Sequence, residues 1–165
     1  MLLAVAMLWS AATGVWLDVP YIRQERNSCG AASIAMVMQY WIAKGASMPQ
    51  PDAEPHNIHR LLYSRRAEGI FASDMEKYFR EKGFEAFAIR GEWADLRNHI
   101  EKGRPLIVCL KEGAPLHYVV VAGVDEGFVL LNDPARRKLL RLDRAAFERD
   151  WKDRWILLAV PRQAR

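Results

Sequence analysis

The longest apolar run opens at Cys29 and continues to about Lys44 as C-G-A-A-S-I-A-M-V-M-Q-Y-W-I-A-K. It is too long for one strand and bounded like a helix: Asn27 or Ser28 can cap its start, and Gly45 stands where a C-terminus needs positive φ. Small residues fill the first turn and large ones follow, the pattern of a buried central helix whose start lies close to another segment. Before it, Val15 to Tyr21 reads as a short strand ended by Pro20, followed by a polar loop over Arg23 to Ser28. After it, Ala46 to Pro55 holds three prolines and reads as a loop. Asn57 is placed to cap a short helix to about Arg65. Ser73-Asp74-Met75-Glu76 has the form of a capping box opening a helix that stops near Gly83.

The remainder is mostly strand. Phe84 to Arg90 is one strand, and Glu92 to Lys102 is an amphipathic helix with Trp93, Leu96 and Ile100 on one stripe, ending at Gly103. Pro105 to Leu110 and His117 to Val124 read as a buried hairpin across Lys111 to Leu116. Phe128 to Asn132 follows the Asp125-Glu126-Gly127 turn, and Lys138 to Leu142 pairs onward. Asp143 caps a last helix to about Trp151, and Trp155 to Val160 closes the sheet. Helices first and antiparallel strands second make an α+β fold, expected in two layers.

Length and composition add boundaries. At 165 residues, about half of them apolar (51%), the chain suits one domain that needs no metal or disulfide staple. The formal charge of +4 is mild. The densest basic group, Arg136, Arg137, Lys138, Arg141 and Arg144, reads as a solvated edge, because no aromatic interleaving or nucleic-acid motif accompanies it. Met1 to Leu17 carries no charge, and Ser10-Ala11-Ala12 resembles a cleavage site, so residues 1–14 read as a signal peptide or short apolar leader before a domain over 15–165. No Lys or Arg precedes the apolar stretch, so a retained anchor or a misplaced start stays open. The reading favours an exported protein, and a cytoplasmic one if that stretch is no signal.

Chemistry concentrates in four residues. Cys29 stands in the first turn of the central helix, where unpaired N–H groups and the helix dipole favour an anion, and the thiolate is the nucleophilic form. Its local pattern alone fits a buried structural cysteine equally well. Cys109 lies mid-strand and reads as a packed apolar residue; a Cys29–Cys109 disulfide would abolish the thiolate. Among the histidines, His56 and His59 have a ligand-like spacing but no further Cys or His partner, so no metal is expected. His99 belongs to a helix surface or boundary. His117 opens an apolar strand directly after a turn, a place from which an imidazole can meet the helix start. Asp133 comes 16 residues later in L-L-N-D-P, and antiparallel neighbours bring a strand start and the next strand's end to one edge. Its other reading is turn chemistry. Gln24 on the approaching loop can offer its side-chain amide, beside the Cys29 N–H, to a developing oxyanion.

Taken together, V-P-Y-I-R-Q-E-R-N-S-C-G-A-A-S-I-A-M-V-M-Q-Y-W, H-Y-V-V-V-A-G-V and L-N-D-P resemble the bacteriocin-processing, double-glycine-leader group of papain-like cysteine peptidases, over about residues 17 to 160. The resemblance implies a papain-like fold, Cys29 as nucleophile, His117 as base, Asp133 as its partner and Gln24 as oxyanion donor, with no metal or organic cofactor. Family members cut after a Gly-Gly leader and are often fused to a membrane exporter with an ATPase. This sequence, ending at Arg165 without a membrane bundle or phosphate-binding loop, is similar to the stand-alone members. Its expected partners are a peptide or protein substrate and a separately encoded membrane transporter, and no nucleic acid. The double-glycine preference is not transferred. Two alternatives stay open: a peptide-binding module without turnover, and an amidase or acyltransferase on cell-wall peptide.

Overall fold

The computed structural model describes residues 14–111 and 116–162. The expected leader lies almost wholly outside them, as does most of the turn between the two hairpin strands. Among the described residues no helix is long and apolar enough to cross a membrane.

Seven strands form one antiparallel sheet: β1 (Val15–Trp16), β2 (Phe84–Arg90), β3 (Leu106–Leu110), β4 (His117–Val124), β5 (Phe128–Asn132), β6 (Leu140–Asp143) and β7 (Trp151–Pro161). Their order is β2-β7-β3-β4-β5-β6, with β1 paired to β4. Helix α1 (Cys29–Ala43) lies against one face with α2 (Pro55–Leu62) and α3 (Ala72–Glu81). Helix α4 (Trp93–Glu101) and α5 (Arg144–Asp150) cover the other. The expected two layers are therefore three. Alternate residues of β4 enter different cores: Tyr118, Val120 and Ala122 join the α1 side, Val119, Val121 and Val124 the α4 side. A strand buried on both faces needs no polar positions, which is why β3 and β4 read as unbroken apolar runs.

Helix α1 is enclosed on nearly every side. Ile34, Met36 and Met38 are fully buried, each stabilising the fold by roughly 1.5–3 kcal/mol relative to exposure. Gly45 ends the helix at φ +95°, open to glycine and strained for other residues. Ser28 is the residue before α1, but its hydroxyl donates to the Glu25 carbonyl and not to the helix.

Several boundaries differ from the sequence reading. Strand β1 stops at Trp16; the chain from Leu17 onward becomes a strap across β4. Helix α2 starts at Pro55, whose fixed φ suits a first helical position, while Asn57 donates to the Pro51 carbonyl. Helix α3 begins at Ala72 after Phe71, with no side-chain cap from Ser73. A true capping box sits instead on α4, between Glu92 and Asp95. Strand β7 begins at Trp151 and runs through Asp153 and Arg154, both at positive φ, before pairing with β2.

The candidate active site

Cys29 is the first residue of α1 and His117 the first of β4, while Asp133 follows the last residue of β5. The register of β4 with β5 pairs Val120 with Asn132, so His117 and Asp133 emerge together at one rim of the sheet. Helix α1 packs on β4 and aims its N-terminus at the same rim. The structure thus brings together three segments distant in sequence.

The imidazole lies between the other two groups. Its Nε2 is 2.7 Å from Oδ1 of Asp133, and the ring lines the same groove as Cys29. With Nε2 committed to the carboxylate, Nδ1 is the nitrogen left for the sulfur. Burial on its own would lower the His117 pKa. The hydrogen bonds and charges of Asp133 and Cys29 outweigh it and raise the value to about 9. Asp133 has a side chain only 1% exposed. Burial pushes its pKa up, but the bond to His117, the imidazolium charge, the Ala135 N–H and Arg136 hold it below the ordinary 3.8. Its Oδ1 also accepts from the Ala135 N–H at 2.9 Å, and Nε of Arg136 stands 3.7 Å from Oδ2.

The three residues meet at a groove of about 630 Å³. Gln24 lines it. Among the described residues its buried Oε1 has no hydrogen-bond partner. The first-turn N–H groups of α1 have no partners four residues back, as at any helix start. The start of the helix and the side chain of Gln24 thus border the same groove as the sulfur.

The other candidates sit elsewhere. Cys109 is 4% exposed on β3, its thiol pushed up to about 12 mainly by burial, and both cysteines are free. His59 stacks on Tyr63 at 4.8 Å, and His99 is half-buried on α4, its pKa lowered by burial and by Arg104 and Lys102. Among the described residues no three His, Cys, Asp or Glu side chains cluster to hold a metal. The Arg136 to Arg144 group is exposed and partly ion-paired, with Lys138 on Asp18 and Arg144 on Glu148.

One wall of the groove escaped the sequence reading. Residues 67–72, linking α2 to α3, run beside Cys29. The signal was Gly30: a Cβ there would come 3.2 Å from Ile70, so the bare first turn is what lets this wall approach. Asn132 and Tyr21 were also missed as site-builders. Asn132 is fully buried, donates to the Val19 carbonyl and accepts from the Leu139 N–H, while the Tyr21 hydroxyl donates to the Asp133 carbonyl.

Residues 18–164 match the model of the peptidase C39 family. Over 138 residues the chain is 31% identical to the transport/processing ATP-binding protein ComA of Streptococcus pneumoniae, covering 82% of this chain and 18% of that protein. It therefore spans about a fifth of the length of the curated relatives it matches. Among solved structures, a double-glycine-motif protease from an AMS/PCAT transporter, in complex with its leader peptide, superposes with a TM-score of 0.68 at 26% identity, covering 90% of this chain and 98% of that one. A C39-like protein from Bacillus anthracis shares the fold with a TM-score of 0.72 at 17% identity, covering 92% and 100%.

Proposed function

We propose how this chain, which belongs to the peptidase C39 family and is a cysteine-type peptidase, cleaves its substrate: Cys29 attacks a peptide carbonyl and carries the acyl group as a thioester. His117 takes the thiol proton on Nδ1 and delivers it to the leaving amine, so the C–N bond breaks as the C–S bond settles. A water, deprotonated by the same imidazole, then hydrolyses the thioester and frees the sulfur. Asp133 keeps the ring in the tautomer and orientation that point Nδ1 at the sulfur, and stabilises the imidazolium between the two halves. The Cys29 N–H and the Gln24 amide receive the oxyanion in both halves.

The observation supporting this most is the 2.7 Å bond of Asp133 to a ring that shares an open groove with Cys29. For the substrate we propose a peptide bearing a leader, and for the partner a membrane transporter, by analogy with relatives whose names join transport to processing. The test is labelling by a thiol-directed electrophile such as iodoacetamide, followed by peptide mapping. Cys29→Ala is expected to abolish fast labelling and leave the thermal midpoint near that of the native chain. Fast labelling that persists through Cys109 would overturn the assignment.

A further inference from the structure

Glu68 lines the groove with Cys29 and His117, and among the described lining residues it is the only one besides the imidazole that carries a formal charge. Its side chain enters none of the hydrogen bonds or ion pairs among the described residues. Arg65 and Arg66 precede it in the same turn, but neither pairs with it and neither lines the groove.

The backbone at this position is costly for its side chain. Glu68 has φ +48°, a region glycine enters freely and a glutamate does not. The turn enforces it: Ser64 and Gly69 exchange backbone hydrogen bonds at 2.8 and 3.3 Å, and the Glu68 N–H donates to the Arg65 carbonyl. Just beyond, Ile70 is 4% exposed and touches the start of α1. The carboxylate thus rides on a fixed turn clamped beside the nucleophile. Other residues at positive φ have compensation within the fold. The Leu139 N–H bonds Asn132, and Arg154 pairs with Glu92; Asn27 is a residue type that tolerates the region. The Glu68 N–H is bonded as that of Leu139 is, but among the described residues its side chain has no pairing like that of Arg154. Strain held at a site wall by a side chain without an internal partner points to a use outside the chain.

We infer that Glu68 is a specificity residue, selecting substrate peptides that place a lysine or arginine beside the bond to be cut and pairing its carboxylate with that cation in the groove. This rests on the assignment of Cys29 as nucleophile. A solvent-accessible pair of this kind corresponds to about a threefold to fivefold preference.

Charged probes of Cys29 test it in a Cys109→Ala background. Neutral, cationic and anionic methanethiosulfonates are compared by second-order rate, each normalised to a free cysteine. Two tripeptidyl vinyl sulfones that differ only by Lys or Gln beside the electrophile are compared as well. The native chain is expected to favour the cationic reagent and the Lys peptide about threefold. Glu68→Gln should abolish both preferences when each rate is divided by that variant's own neutral rate, and Glu68→Lys should reverse them. Glu68→Gly should raise the thermal midpoint while losing the preference, which a purely structural glutamate would not do. Preferences that survive Glu68→Gln overturn the inference alone. A Cys29 that fails to react even with the neutral reagent overturns the nucleophile assignment, and this inference with it.

Discussion

Replacing Asp133 by Asn tests how the imidazole is charged. Asparagine keeps the shape and one acceptor oxygen for Nε2 but removes the negative charge. In the native chain His117 is raised from 6.5 to about 9, a bias of about 3 kcal/mol toward the imidazolium after burial has taken its share. Asp133 supplies both a hydrogen bond and a charge to that bias, and Cys29 supplies the remainder. In Asp133→Asn, burial still pulls the value down while the carboxylate no longer opposes it, so the ring should titrate at least about one unit lower. The assay is an NMR titration of the ring, assigned by its loss in His117→Ala, with urea unfolding followed across pH. A raised histidine stabilises the fold fully below its unfolded value near 6.5 and ceases to do so as pH rises through about 9. Asp133 is depressed, so its share is present above about 3.8 and fades as pH falls through its lower folded value. The native chain's advantage over Asp133→Asn should therefore peak between about pH 4 and 6.5 and close, or reverse, by about pH 10. A native ring titrating near 6.5, or one unmoved by the substitution, would refute the coupling.

Three further outcomes follow from the same contacts. Gln24→Ala should lower kcat by about 10²-fold while the iodoacetamide rate at Cys29 stays within about twofold, since alkylation develops no oxyanion; equal losses in both would mean a role in nucleophile formation. Asn132→Leu leaves the buried Val19 carbonyl and the part-buried Leu139 N–H unpaired, and should cost about 2–4 kcal/mol of stability by urea melts; a loss below about 0.5 kcal/mol would contradict this bonding. Arg80→Ala should promote self-association by light scattering. Strand β2 is a sheet edge, and Arg80 donates twice to the Ala86 carbonyl while Glu76 accepts from the Ala88 N–H; a strictly monomeric variant at high concentration would show that this guard is unnecessary.

What could be read from the sequence had local physics behind it. Helix α1 announces itself through a long apolar run and Gly45, and β4 begins at His117 because an apolar run starts there after a turn. Even the meeting of His117 with Asp133 follows from hairpin geometry. Helix starts were less legible where two signals competed: Pro55 took the first position of α2 from the Asn57 cap, and the Glu92–Asp95 box had no advance notice because neither residue is a serine or threonine. The groove wall was hidden for a different reason. Nothing in A-E-G-I-F-A distinguishes a substrate wall from an ordinary turn until Ile70 is seen against Gly30, 40 positions away. The third layer was visible in principle, since β3 and β4 lack the polar alternation of a half-exposed sheet.

The strap from Leu17 to Gln24 shows how hydrogen bonds hold the geometry of such a site. Its first residue donates to the Ala122 carbonyl on β4, and Val19 is fully buried. Besides the Lys138–Asp18 ion pair, three further attachments fall on the segment that carries the carboxylate. Asn132 donates to the Val19 carbonyl, Tyr21 donates to the Asp133 carbonyl, and the Gln24 N–H donates to the Pro134 carbonyl at 2.9 Å. Three consecutive residues, 132–134, thus fix three points along the strap. Gln24, the proposed oxyanion donor, and Asp133, the carboxylate proposed to orient the imidazole, consequently hang from one frame, and a shift of the β5 exit displaces both together. Asn132 and Pro134, each bonded to the strap, thereby hold Asp133 between them. Reactive geometry must hold to a few tenths of an ångström against thermal motion, and tying both supports to one backbone segment cancels much of their relative movement. Loosening Asn132 should therefore lower turnover by more than the lost stability accounts for, measured at a temperature and denaturant level where the variant remains folded. A variant that is destabilised yet turns over at the native rate would separate the frame from the chemistry.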